Sequence, residues 1–341
     1  MRLIKRNENI GLIRKADNSI YAKKINGGLC KIIDNECVTV IQEEIDSFRV
    51  YDGKLVYKLF NHRSKLFSIE GDIITEIMSD DDKVSNISSG VLFESKLQIY
   101  YYINNDFLPS GMYLLGSDLE LERSENISVY STKIDQHYFN KSNKFVYSFN
   151  RHHEERYKID ISDYGRVIIR HRNTGEVLSD EPNEIDGELF RYQGLLYVPL
   201  KGGQLLALNA SDGKKSWIWE HDRLGAYGIV GDKIYKQDGK EVFEIDANNG
   251  GLLKSKKFSD DALLVDFHAT GPIWVYPDVI IVVDVLSGKI CMLDRLSLKV
   301  IEFFTINKKL PFSNNAIVWN AGKLHILDLE NTLHIFDQFQ N

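Results

Sequence analysis

Residues 195–219 read LLYVPLKGGQLLALNASDGKKSWIW. One strand ends in Tyr197-Val198, Gly202-Gly203 supplies a turn, and a second strand runs over 205–208. Asn209-Ala-Ser-Asp-Gly213 then turns the chain into a third strand that ends in Trp217-Ile-Trp219. Apolar β-branched and aromatic runs with a turn signal at each corner are the pattern of an antiparallel meander.

The same element, an apolar strand closed by Asp or Asn at a turn and followed by a second β-rich run, recurs along the chain. Its anchors are Asp34, Glu70, Asp118, Asp160, Asn209, Asp246, Asp294 and Asp337, spaced 36 to 49 residues apart. Further strands precede them at 50–57, 90–93 with 97–103, 144–147, 229–235 and 279–283. No window has helical apolar spacing, so the chain reads as all-β with about four strands per unit. Repeats of this length with four short strands predict a single β-propeller domain over residues 1–341. The count is eight blades, with seven as the alternative because the anchors of the first half are degenerate. Asp337 leaves no room for an outermost strand, and Arg2-Leu-Ile-Lys-Arg6 is spare at the start. The N-terminal strand is therefore expected to complete the C-terminal blade, closing the ring and hiding two edges.

The 195–219 stretch resembles the pyrroloquinoline-quinone-like (PQQ-like, WD-like) propeller repeat, whose pattern is roughly Y-V-x-x-x-x-G-x-L-x-A-L-D/N-A-x-x-G-K-x-x-W. The resemblance implies that Trp217 and Trp219 dock one blade on the next. Quinone enzymes of that family carry calcium ligands and a vicinal disulfide. This chain has no adjacent cysteine pair, so the fold is carried over and a quinone site is not. No cofactor, metal or catalytic residue is expected.

A net charge of −7 argues against nucleic acid as a partner. The first residues are charged before any apolar run, and no run reaches the length of a membrane span. The reading is a cytoplasmic protein with no membrane partner. Cys30, Cys37 and Cys291 fit no zinc spacing. Cys30 and Cys37 flank a hairpin turn at Asp34-Asn35 and are read as packed thiols of a reducing compartment.

Arg151-His-His-Glu-Glu-Arg156 reads as a solvated hairpin tip, since adjacent histidines on a strand point to opposite sides. Asp212-Gly213 resembles an Asp box but lacks its intervening residue. One distributed feature remains. The connections from each outermost strand (d) to the next innermost strand (a) are acidic, and they supply the candidate partner-binding residues: Glu43, Glu44 and Asp46; Asp80, Asp81 and Asp82; Asp180, Glu181 and Glu184; Asp222; Asp260 and Asp261. Charge complementarity of this kind steers association with a basic partner.

Two functions follow as expectations. The first is a noncatalytic, monomeric protein-binding propeller; by general character it resembles bacterial immunity proteins that neutralise a cognate toxin, a toxin–antitoxin pairing whose partner would be basic. The alternative is a carbohydrate-active hydrolase or lyase using channel carboxylates.

Overall fold

The computed structural model describes residues 1–16, 19–51, 54–61, 66–70, 73–78, 86–93, 96–102, 111–115, 118, 120–124, 136–139, 145–149, 167–171, 177–181, 190–200, 202–209, 215–223, 225–313 and 315–337. Apart from a single 3-10 turn at Phe258–Asp260, their regular structure is β. The strands fall into eight four-stranded antiparallel sheets. The chain forms two compact units, Met1–Thr132 with Asn315–Asn341, and Lys133–Asn314.

The first unit holds the sheets of residues 10–41, 45–78 and 86–124. Its fourth sheet joins Ile317–Asn320, Lys323–Leu327 and Leu333–Asp337 to the N-terminal strand Arg2–Asn7, which lies outermost, with Leu3 opposite Phe336 and Asn7 opposite Leu333. The second unit holds the sheets 136–181, 190–219, 226–257 and 273–305.

Burial explains the sequence texture. The middle strands b and c are covered on both faces: Glu241–Asp246 and Val279–Asp284 are buried along almost their whole length, whereas the outer strand Leu252–Lys257 is largely exposed. Inner strands thus read as continuous apolar runs. Separate cores fill the spaces between neighbouring sheets. Tyr197, Leu205, Ile234 and Ile245 lie between 190–219 and 226–257; Tyr235, Val242, Ile280 and Leu293 lie between 226–257 and 273–305.

The turn anchors have a common chemistry. Asp34 and Asn35 both have positive φ (50° and 69°) between the paired residues Ile33 and Glu36, the two-residue hairpin turn that Asn and Asp tolerate best. Asp246 accepts the Asn248 amide at 2.7 Å, and Asp294 accepts that of Ser297 at 2.7 Å. One anchor, Asp160, lies outside the described residues. Val167–His171 is the third strand of its sheet, pairing with Phe145–Phe149 and Val177–Glu181. The Arg151–Arg156 cluster also lies outside the described residues.

Neighbouring sheets dock through the aromatic positions of the repeat. A Cβ on Gly250 (φ 74°) would stand 2.6 Å from the Trp217 ring, so the c–d turn of 226–257 closes directly on that indole. The Tyr197 hydroxyl donates to the Ala247 carbonyl at 2.9 Å in the same turn, and Arg295, in the c–d turn of the next sheet, donates to the Tyr235 hydroxyl at 3.1 Å.

Cys30 and Cys37, read as packed thiols, are joined by a disulfide across the 29–41 hairpin, their Cα atoms 5.5 Å apart. Diagonal positions on paired strands bring the sulfurs within bonding reach. Cys291 is buried, and desolvation pushes its thiol up to about 12. Purified protein is accordingly expected to take up no alkyl group when native, one when denatured and three when denatured and reduced, read by intact mass.

Candidate functional site

Among the described residues of the second unit, a buried charge cluster is centred on Lys236, in strand Lys233–Gln237. Its side chain is 0% exposed. The ammonium donates to the carbonyls of Gly203 (3.0 Å) and Arg223 (2.6 Å) and meets His221 Nδ1 at 2.8 Å. The Trp219 and Tyr227 rings lie 5.0 and 5.7 Å away, within cation–π range. An ammonium is donor-only, so His221 Nδ1 accepts and the ring is neutral, with its proton on Nε2. That nitrogen faces Asp238 Oδ2 at 3.7 Å, and Arg223 Nη1 reaches the same oxygen at 3.2 Å. Burial, and secondarily Lys236, hold the His221 pKa below its ordinary value; burial also lowers Lys236, to about 8, against the raising effect of Asp238.

This cluster acts as a staple. One buried cation ties the b–c turn at Gly203 to the connection 220–225, and the approach is so close that a Cβ on Gly203 (φ 89°) would fall 1.7 Å from the Arg223 oxygen. Its three N–H donors are all engaged, which leaves no free amine for nucleophilic chemistry. Trp219 walls the cage, stacking on His221 with centroids 4.9 Å apart, while Trp217 does the docking. Asp238 also caps its own b–c turn through the amides of Lys240 (3.0 Å) and Glu241 (2.9 Å). Asp328 repeats the device, capping Glu330 and Thr332 and holding His334 at 2.8 Å. The sequence reading followed the c–d anchors and missed this second series. Its signal was the Asp at 238, 284 and 328, at the end of strand b in three consecutive repeats.

The connection 258–272 is built differently, with a fixed underside and an apolar top. Phe258, Leu264, Phe267 and Ala269 are buried, and the Phe258 and Phe267 rings meet edge to face at 5.0 Å. Successive i→i+3 bonds run from Asp261, Leu264 and Phe267 amides to the Phe258, Asp261 and Leu264 carbonyls, and Phe258 and Ala269 bond to the b–c turn at Lys240 and Gly239. Between the anchors, Leu263 and Val265 are 64% and 62% exposed, beside the exposed Asp260 and Asp266. Thr270 and Leu310 donate to Val283 and Val285, so this connection and residues 306–313 flank one b–c turn. That turn and the second connection add Leu286 and Phe312, 68% and 72% exposed.

The candidate acidic residues separate on the structure. Asp260 (exposed), Asp261 (half-buried) and Asp222 (side chain 91% exposed) sit on connections of the second unit. Asp261 is partly spent on its own loop, accepting the Leu263 amide at 3.0 Å. Glu43 and Glu44 lie on the 42–44 connection of the first unit; Asp46 opens strand Ile45–Tyr51 and is ion-paired with Lys58 at 3.1 Å. Asp180 and Glu181 lie within strand Val177–Glu181, opposite Ile168 and Val167, where the sequence reading had put them in a connection. Asp80, Asp81, Asp82 and Glu184 fall outside the described residues.

Three solved structures superpose along nearly the whole chain. BamB from Moraxella catarrhalis matches with a TM-score of 0.52 at 12% identity, covering 99% of this chain and 98% of that one. Sqt1 from Saccharomyces cerevisiae gives 0.57 at 10%, covering 99% of both chains. The fold is a β-propeller. The computationally designed Ika8 protein also matches, at 0.57 and 11% identity over 99% of this chain and 98% of that one. At these identities the likeness concerns architecture alone. No protein-family model and no curated protein matches the sequence.

Proposed function

We propose that this β-propeller is a noncatalytic binding protein that engages another protein through the connections 258–272 and 306–313 and the b–c turn between them. One observation carries the reading. Leu263 and Val265 stand exposed on a loop whose underside is locked into the core, so binding there orders nothing new and desolvates two large apolar groups. Exposed apolar side chains clustered beside carboxylates, on a rigid support, have the anatomy of an interface centre with a charged rim. Asp260 and Asp266 select a partner with a basic border. The narrower reading, neutralisation of a cognate toxin by a monomer in the cytoplasm, rests on the same acidic surface.

The test is quantitative co-purification from the native host. Leu263→Asp with Val265→Asp should reduce the recovered stoichiometric partner at least about tenfold, as loss of central apolar contacts does. Asp260→Lys with Asp266→Lys should weaken recovery mainly at low salt. A partner recovered equally well by both variants contradicts the proposal. Location is tested by alkylating the protein inside the cell before extraction: cytoplasmic residence requires Cys30 and Cys37 to be trapped as thiols, and a trapped disulfide moves the protein to an oxidising compartment.

A further inference from the structure

The hairpin turn at Asp34-Asn35, in the first unit, is gripped by the sheet that the N-terminal strand completes. Lys5 of that strand is ion-paired with Glu36 at 2.5 Å, and Asn7 Nδ2 donates to the Asn35 carbonyl at 3.1 Å. Lys323, two strands further in, donates to Asn35 Oδ1 at 2.8 Å. The exposed Lys5–Glu36 pair contributes little alone. Three contacts on two consecutive residues act together only while the turn keeps one shape. The Cys30–Cys37 disulfide closes the chain around that turn and restricts its opening. The crosslink also shares a core with the N-terminal strand: Cys30 is buried among Ile10, Val318, Leu333 and Ile335, and Cys37 and Ile4 pack against that cluster. The two sulfurs differ in access. Cys37 is half-buried, whereas Cys30 is enclosed, with the Ala22 carbonyl oxygen 3.3 Å from its Sγ.

We infer that Cys30–Cys37 is an exchangeable disulfide that latches the N-terminal strand to its sheet. A dithiol reductant, as thiolate, attacks Cys37 Sγ; the S–S bond breaks, and Cys30 leaves with the electron pair and takes a proton from solvent. The Ala22 carbonyl is a ready acceptor for the thiol so formed. The second thiol of the reductant then displaces Cys37 from the mixed disulfide, so the reductant ends as a cyclic disulfide and the protein as two thiols. Without the crosslink the tip no longer holds Asn35 and Glu36 in place, and Arg2–Asn7 loses its clamp. Nothing in this inference depends on the protein-binding surface of the second unit.

The test is hydrogen exchange of the intact native protein with and without dithiothreitol, alongside iodoacetamide labelling. Reduction should label Cys37 ahead of Cys30 and speed exchange over Arg2–Asn7 at least about tenfold, leaving Glu241–Asp246 of the second unit unchanged. Cys37→Ser should show the fast exchange without dithiothreitol and no response to it. With the disulfide intact, Asn35→Gly combined with Glu36→Gln should also speed exchange over 2–7, because it removes the side-chain contacts of the tip while glycine keeps the positive φ. A disulfide that resists dithiothreitol in the native protein, exchange over 2–7 indifferent to its reduction, an equal rise in both units, or a tip variant that exchanges like the parent overturns the inference.

Discussion

Asp238→Ala is expected to destabilise the second unit by about 3 to 5 kcal/mol, the cost of leaving buried charge and polar partners uncompensated. The Asp238 side chain is 0% exposed and serves four groups: the Lys240 and Glu241 amides, Arg223 Nη1 and, at longer range, His221 Nε2. Its loss strands two turn amides and leaves the Lys236 ammonium, 0% exposed, without its main compensating carboxylate. Because Lys236 holds the connection 220–225 to the Gly203 turn, the damage should spread to both neighbouring loops. The measurement is the urea midpoint at neutral pH, together with hydrogen exchange of the 203 and 223 amides. Asp238→Asn retains the capping oxygen but not the charge, and should recover part of the loss. An alanine variant as stable as the parent would show that the staple is not what holds these loops.

The first unit should lose stability in acid through one residue. His325 lies in strand Lys323–Leu327 between Val318 and Ile335, 4% exposed, and its Nδ1 has no hydrogen-bond partner. Burial holds its pKa down to about 4, from an ordinary 6.5. The sign follows from which state binds the proton. Between those two pH values the unfolded chain is protonated at His325 and the folded one is not, so unfolding takes up a proton and acid favours it. Stability is intact above the ordinary value and falls by about 3 kcal/mol as pH drops through this window. His325→Gln should flatten this slope in denaturant titrations across the same window. A variant with the parent's full acid dependence would assign that dependence to other groups.

The fold was legible because its repeat rests on local chemistry. An Asp or Asn that accepts amides two or three residues on, as Asp246 and Asp294 do, leaves a turn signature in any context. That Trp217 docks one sheet on the next was implied by the repeat, but its contact with Gly250, and the place of Trp219 against His221 and Lys236, were not. The Lys236 staple was hidden by the same burial that makes inner strands continuous. In a strand covered on both faces alternation carries no information, and one lysine among Ile234, Tyr235 and Gln237 reads as a solvated residue. The acidic connections were readable as composition. Their roles were not, because Asp46 is spent on Lys58 and Asp261 on its own loop, and such pairings form only in the folded chain.

Site-specific photo-crosslinking tests the central claim most directly. A photoreactive residue placed at Val265 occupies the apolar top of the 258–272 connection, and one at Leu296, 62% exposed in the c–d turn at the other end of the 273–305 sheet, serves as its control. In the native host, position 265 should give one discrete protein adduct that disappears when Leu263→Asp is added, and position 296 should give none. No adduct from 265, or the same adduct from both positions, would contradict a protein-binding surface on these connections.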